Sequence, residues 1–239
     1  MQIYENSILI SDVHYDSEYR KQDFENFLQF IEENPPPQLI FFGDIFDLLF
    51  GNIEYLESKN QKIIQKLNFL GSKFEIIYLE GNHDFNLKYM FPNLKIIPIS
   101  QQPFLMRFGK EKILISHGDY SVKGFFHFYR RFINKSKVLK ILNFINKLIN
   151  GKIIKTLEIQ QKKKQKCYEI LNFQDIIKSK LKDISCDTFI DGHYHQGSRF
   201  KINNINYINL FSFACNQIYF IVKSKHNSIF IKNISLKDF

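Results

Sequence analysis

The chain has no tryptophan and, in 239 residues, only three cysteines, three methionines, six prolines and ten glycines. Each shortage removes a class of protein. Cys167, Cys186 and Cys215 are an odd number without C-x-x-C spacing, which argues against a disulfide framework and a zinc knuckle and fits a reducing cytosol. Long apolar runs are also missing. No stretch approaches the roughly 20 apolar residues of a membrane span, and residues 1–12 lack a basic region followed by an apolar core, so neither secretion nor integral membrane insertion is expected. A composition of 44% hydrophobic and 24% charged residues excludes disorder and collagen-like repeats, and the length suffices to bury a full core.

Acidic residues are scarce in one place. The net charge is +9, yet residues 120–182 hold 16 Lys and Arg against 3 Asp and Glu, a balance of +13, while the remainder of the chain sums to −4. A basic segment of that kind raises nucleic acid or an anionic membrane surface as partner. The abundance of Lys, Asn, Ile, Phe and Tyr is also what an AT-rich genome writes without functional intent.

The front half alternates apolar strand-like runs with helical stretches, the pattern of an α/β domain. Strands are expected at 7–10, 38–42 and 74–79, and a hairpin at 104–108 and 112–116. Phe24, Phe27, Leu28 and Ile31 recur at helical spacing until Pro35, Pro36 and Pro37 stop the helix, and a second helix is expected over 55–70. From about 120 to 183 the period becomes helical, with Val138, Ile141, Leu142, Ile145, Leu148 and Ile149 on one apolar stripe. Strand character returns at 188–190, followed by two hairpin-like pairs with turns near 203–204 and 225–227. One domain spanning 1–239 with a helical insertion at about 120–183 is the expected organisation.

Each strand that matters ends in a polar cluster: Asp12-x-His14, Gly43-Asp44, Gly81-Asn82-His83-Asp84, His117 and His193-x-His195. Five of the seven histidines lie there; His127 and His226 fall outside and read as structural. Open α/β folds bind ligands at the carboxyl ends of strands. Carboxylate oxygen with neutral imidazole nitrogen suits Mn, Fe or Zn. Alternating residues of an extended segment project the same way, so Asp12 with His14 and His193 with His195 can serve one cavity, and the donors suffice for two cations.

In these five ordered motifs, with Gly43-Asp44-x-x-Asp47 and Gly192-His193-x-His195 at their full length, the sequence resembles the calcineurin-like metallophosphoesterase superfamily over residues 7–197. The resemblance implies an α/β fold of two mixed sheets packed as a sandwich with helices outside. It implies two divalent metal ions, manganese first with iron or zinc as alternatives: Asp12, His14, Asp44 and His195 on one, and Asp44, Asn82, His117 and His193 on the other, with Asp44 as the bridge. Asn82, His83 and Asp84 would serve catalysis, His83 beside the metals as proton or hydrogen-bond donor oriented by Asp84. Asp47 either orients a ligand or caps the following helix.

The insert begins with Phe125, Phe126, Phe128, Tyr129, Arg130, Arg131 and Phe132, apolar surface beside positive charge. Its length and its place after His117 look like the UDP-2,3-diacylglucosamine pyrophosphatase family of lipid A synthesis, whose best-known branch has arginine where this chain has His83. That likeness implies hydrolysis of UDP-2,3-diacylglucosamine to 2,3-diacylglucosamine 1-phosphate and UMP by metal-bound hydroxide attack on the α-phosphorus. The partner would be a nucleotide-linked glycolipid rather than nucleic acid, met by a cytoplasmic enzyme in peripheral contact with the inner face of the membrane. Tyr129, Arg130, Lys155 and Lys163 are the candidate substrate contacts. The alternatives are another metallophosphoesterase, a nuclease or general phosphodiesterase, and a non-catalytic scaffold that keeps the fold.

Overall fold

The computed structural model describes residues 1–15, 21–119, 133, 135–225 and 228–236. Its first strand, β1 (Ile8–Ile10), is buried on both faces. Ile8 and Ile10 face one apolar cluster and Leu9 the other. The same alternation runs through β2 (Gln38–Phe41) and β4 (Glu75–Leu79): Leu39, Phe41, Ile76 and Tyr78 point to one side, Ile40 and Ile77 to the other. Burial on both faces is why these segments read as unbroken apolar runs rather than as polar/apolar alternation.

β1, β2, β4 and β6 (Lys95–Ile97) are parallel neighbours, and β12 (Ile218–Lys225) and β13 (Ser228–Ser235) extend the sheet antiparallel beyond β1. A second sheet has the order β10 (Arg199–Ile202), β11 (Ile205–Asn209), β9 (Thr188–Asp191), β8 (Glu111–Ser116), β7 (Phe104–Phe108), with β9 parallel to both neighbours. Leu9, Ile40, Ile77, Met106, Ile113, Ile115 and Ile190 fill the space between the sheets. The short strands β3 (Leu49–Phe50) and β5 (Asp84–Phe85) pair beside them. This is the sandwich of two mixed sheets expected from the sequence.

Helices cover the outer faces. α1 (Lys21–Glu33) buries Phe24, Phe27, Leu28 and Ile31, one helical stripe, and the prolines at 35–37 prevent its continuation. The helix expected over 55–70 is two helices, α2 (Glu54–Lys59) and α3 (Gln61–Gly71). The break is at Asn60, whose backbone N–H and buried carboxamide both donate to the Leu56 carbonyl, at 3.1 and 2.9 Å, closing α2 there.

The described part of the insert holds α4 (Ser136–Leu148), α5 (Lys152–Lys162) and α6 (Phe173–Lys180). α4 turns most of its apolar stripe outward. Leu139 is buried and Leu142 packs on the core, but Ile141, Ile145, Leu148 and Ile149 of the expected stripe face solvent, joined by Phe144. The buried line is completed by Asn146, whose carbonyl accepts from Gly151 N at 2.7 Å and whose side chain accepts from Ile154 N at 3.2 Å. That polar staple turns α4 into α5 and decides which face is left outside. Ion pairs Lys147–Glu54 and Lys59–Glu158 seat both helices over α2.

Phe27 is fully buried against Tyr219 and Phe213, with ring centroids at 5.4 and 5.8 Å. Phe27→Ala is expected to cost about 3–5 kcal/mol of stability, measured by urea unfolding. A loss under about 1 kcal/mol would mean that α1 does not anchor the sheet as described.

Candidate metal centre

The loops after β1, β2 and β4 in one sheet and after β8 and β9 in the other leave the sandwich at one edge. Asp12, Asp44 and His117 are buried, as are His14 and His83. Backbone hydrogen bonds tie the loops to one another: Asp12 N to Gly43 O, His14 N to Asp44 O, and Gly192 N to His117 O. Asp12, His14 and His195 bring donor atoms within 4.8 Å of one another, and so do Asp44, His117 and His193. A third group, His14, Asp44 and His83, overlaps both.

The side chains converge for a reason the sequence reading missed. Asp12, His14, Asp44, His193 and His195 all have positive φ, between 50° and 63°, so Asp12 with His14 and His193 with His195 are not alternating residues of extended strands. The left-handed backbone is uncommon for side chains other than Gly and Asn and is found where surrounding contacts enforce it. Val13, between the first pair, is fully buried in the core.

Three imidazoles are oriented in the same way. Nδ1 of His83 donates to the Asp47 carbonyl at 2.7 Å, Nδ1 of His117 to the Phe42 carbonyl at 2.7 Å, and Nδ1 of His195 to the Lys166 carbonyl at 2.6 Å. A carbonyl can only accept, so the proton sits on Nδ1 and Nε2 is turned inward. Nε2 of His117 lies 3.3 Å from both Asp44 Oδ2 and Asn82 Oδ1, and Nε2 of His195 lies 3.0 Å from Asp12 Oδ1. Among the described residues neither ring nitrogen of buried His14 has a hydrogen bond; Nδ1 is 3.2 Å from Asp47 Oδ1 without hydrogen-bond geometry.

The electrostatics call for positive charge. Burial alone would push the Asp12 carboxyl up, but His195 and His117 override it and hold it at about 2. Burial likewise opposes ionisation of Asp44, and His117 and His83 outweigh it, holding the carboxyl well below the usual range. Burial pushes His14 down to about 4 against the pull of Asp47. Burial would also lower His117, yet Asp44, Asp119 and Asp12 raise it well above normal. Ionised carboxylates facing inward imidazole nitrogens, with unpartnered His14 among them, are a donor set that fits divalent cations. Asp12, His14, Asp44 and His195 could hold one, and Asp44, Asn82, His117 and His193 the other.

Several expectations are corrected. Asp84 does not touch the His83 ring; its carboxylate accepts the N–H groups of Asp44, Ile45, Phe46 and Gly81 and the Tyr78 hydroxyl at 2.5 Å. It organises the Asp44 loop. Burial first and the Asp44 charge second push its carboxyl up to about 8, against those donors. Asp47 caps no helix, since α2 begins after Ile53; it faces His14 and receives the Lys166 ammonium. Lys155 and Lys163 are exposed on and just beyond α5, where they stay candidates for substrate contact, and a further lysine, Lys166, reaches the cluster through Asp47. Tyr129, Arg130, His127 and His226 lie outside the described residues. Cys167 and Cys215 form a disulfide and Cys186 is free, a pairing made by the fold between residues 48 apart, for which their spacing held no signal.

A mixed two-sheet sandwich with carboxylate, carboxamide and imidazole donors gathered at strand ends defines a metal-dependent hydrolase of phosphate esters. The chain belongs to the calcineurin-like phosphoesterase family, whose model matches residues 7–210. It is 25% identical over 199 residues to a UDP-2,3-diacylglucosamine hydrolase of Coxiella burnetii (strain RSA 331 / Henzerling II), covering 80% of this chain and 81% of that protein. Among solved structures it is similar to a novel archaeal phosphodiesterase (14% identity, 96% and 99% of the two chains, TM-score 0.49) and to a dimetal phosphatase from Danio rerio (12%, 96% and 95%, TM-score 0.49).

A β-carbon on Gly81 would stand 2.2 Å from Asp44 Oδ1 and 2.7 Å from Asp44 N, too close for any real contact. Gly81→Ala is therefore expected to displace Asp44 and weaken Mn²⁺ binding by at least about tenfold while the far-ultraviolet circular dichroism stays native. Calorimetric titration giving unchanged affinity would show that Asp44 is not held against Gly81 in this way.

Proposed function

We propose that the protein hydrolyses UDP-2,3-diacylglucosamine to 2,3-diacylglucosamine 1-phosphate and UMP, with two divalent cations, manganese first, held by the donors described above. The observation that carries the lipid substrate is the outer face of α4, where Ile141, Phe144 and Leu148 are 61, 63 and 67% exposed. Lys137, Lys140 and Lys147 stand on the same helix. Apolar side chains left in water beside ammonium groups suit acyl chains attached to a phosphorylated head group, and the anionic surface of the membrane that carries them. The Coxiella relatives support the same substrate. Among the described residues no helix is long and apolar enough to cross a membrane; the proposed contact is peripheral, at the inner face of the cytoplasmic membrane, with α4, α5 and α6 acting as a lid.

The cations supply Lewis acidity and the activation of water at neutral pH. The chain supplies position and charge. Asp44 lies between the two donor groups and would bridge them, and His14, His117, His193, His195 and Asp12 hold the rest of the frame. His83 has its Nδ1 proton committed to the Asp47 carbonyl; with a second proton on Nε2, 3.9 Å from Asp44 Oδ2, the imidazolium would donate to a phosphate oxygen or give that proton to the departing group. The Asn82 carboxamide, half-buried beside His117, would fix a phosphate oxygen. Attack in line on the α-phosphorus then leaves that phosphorus in UMP.

Two experiments check the reading. Turnover of UDP-2,3-diacylglucosamine with Mn²⁺ in oxygen-18 water should place the label in UMP. Label in the sugar phosphate instead, or cleavage of unacylated phosphodiesters at equal rate, would turn the reading to another phosphodiesterase. Asp44→Ala should reduce turnover to background with the fold retained, whereas His83→Ala should slow it about 10²- to 10⁴-fold with Mn²⁺ still bound. Cation-free His83→Ala protein would show that His83 is a ligand rather than a donor.

A further inference from the structure

Asp12 and His195 face each other at 3.0 Å, yet they are carried by parts of the chain that meet only in the fold. The main chain at Asp12 is held by α7 (Phe213–Asn216) and the residue before it: the Asp12 carbonyl accepts from Ala214 N at 3.1 Å and from the Ser212 hydroxyl at 2.9 Å, and Phe213 N donates to Ser11 O. The His195 ring is held by the Lys166 carbonyl at 2.6 Å. Lys166 belongs to a strap, residues 163–172, that follows α5 and has no helix or strand of its own. The next residue of the strap, Cys167, is bonded to Cys215 of α7. One covalent bridge thus joins the segment that fixes Asp12 to the segment that fixes His195.

We propose that Lys166 is a positioning residue for the cation held by Asp12, His14 and His195, and that the Cys167–Cys215 disulfide clamps it there. This rests on the two-cation reading above. The Lys166 carbonyl decides that His195 carries its proton on Nδ1 and turns Nε2 toward Asp12; such outer partners of a ligating imidazole set its orientation and basicity. The Lys166 ammonium also pairs with Asp47, whose carboxylate lies 3.2 Å from His14 Nδ1, so one residue holds the His195 ring and the carboxylate next to a second donor of the same cation. The strap has other tethers farther along, Ile170 N to Gln196 Oε1 at 2.8 Å and Gln196 Nε2 to Tyr168 O at 3.0 Å. Both act beyond Cys167 and neither reaches the Lys166 carbonyl. Cys167 is exposed and lines a cleft beside His195, open to a soluble thiol. A dithiol reductant delivers two electrons and two protons: the S–S bond breaks, Cys167 and Cys215 become thiols, and the reductant closes to its own disulfide. The affinity of one cation position then depends on the redox state of a bridge that is not itself a ligand.

The test uses the full chain, oxidised in air or reduced with a dithiol that is removed by anaerobic gel filtration, with thiol alkylation and mass spectrometry to count the bridge. Calorimetry with Mn²⁺ should give two sites in oxidised protein, one of them weakened about 10- to 100-fold by reduction and the other little changed. Cys215→Ser should show the weakened value under both treatments. In cation-free protein labelled with ¹⁵N-histidine, the Nδ1 proton of His195, identified by its loss in His195→Gln, should exchange slowly when oxidised and rapidly when reduced. A bridge that merely stabilised the fold would lower the melting temperature and leave that proton and the ratio of the two affinities alone. Unchanged affinities after verified reduction, or no Cys167–Cys215 bridge in oxidised protein, would overturn the proposal. Absence of Mn²⁺ binding in either state would defeat the two-cation reading itself and the proposal with it.

Discussion

Three carboxylates, Asp12, Asp44 and Asp84, are buried within one edge of the sandwich, and charge in so dry a place must be answered locally. The answers differ in kind. Asp84 is satisfied by four backbone N–H groups and the Tyr78 hydroxyl. Asp12 and Asp44 face the inward nitrogens of His195 and His117, so positive charge must lie between these donors, carried by protons on the imidazoles or by divalent cations in their place. Asp84, answered by these donors, then serves geometry, fixing the loop on which Asp44 stands.

Holding the donors in place takes backbone that would not choose this shape alone. Five donor residues sit at positive φ, and the loops that carry them are bonded to one another more than to themselves. Parallel pairing of β1 with β2 and of β8 with β9 puts these loops side by side, and the apolar layer of Leu9, Ile40, Ile77, Ile115 and Ile190 beneath them sets their height. Local strain of this kind persists when neighbouring structure over-determines it. The close seat of Gly81 against Asp44 belongs to the same economy of space.

What was legible in the sequence was what is local along it. Most strand runs, the stop after α1 and every donor cluster could be read from local pattern, whereas the short β3 and β5 and the edge strand β6, and the order of strands in each sheet, could not. Readings failed where a side chain answers to something distant. Asn60, where α2 gives way to α3, is buried with its carboxamide shared between the Leu56 carbonyl and that of distant Leu48. Which way the α4 stripe faces was open in the sequence, because Asn146 and the docking over α2 decide it, and the most apolar line, Ile141 to Leu148, lies outside. Asp84 sits beside His83 in sequence but serves Asp44, forty residues away. Neither Lys166 nor the Cys167–Cys215 pair carries a spacing that could have marked it.

The insert thereby has two duties with opposite physical demands. Its outer face on α4 is apolar and exposed, and under the proposed function it is the surface that would meet the acyl chains. Its far end, the strap from residue 163, must hold still, because a shift of Lys166 moves the His195 ring directly. A covalent bridge at Cys167 separates the two demands: motion in α4 and α5 can be absorbed in the irregular chain before Lys166 without being passed on to the donors. In a reducing compartment the bridge would be lost more readily than a buried one, and the two ends of the insert would then move together, so that access to the site and the grip on its cation would no longer be independent.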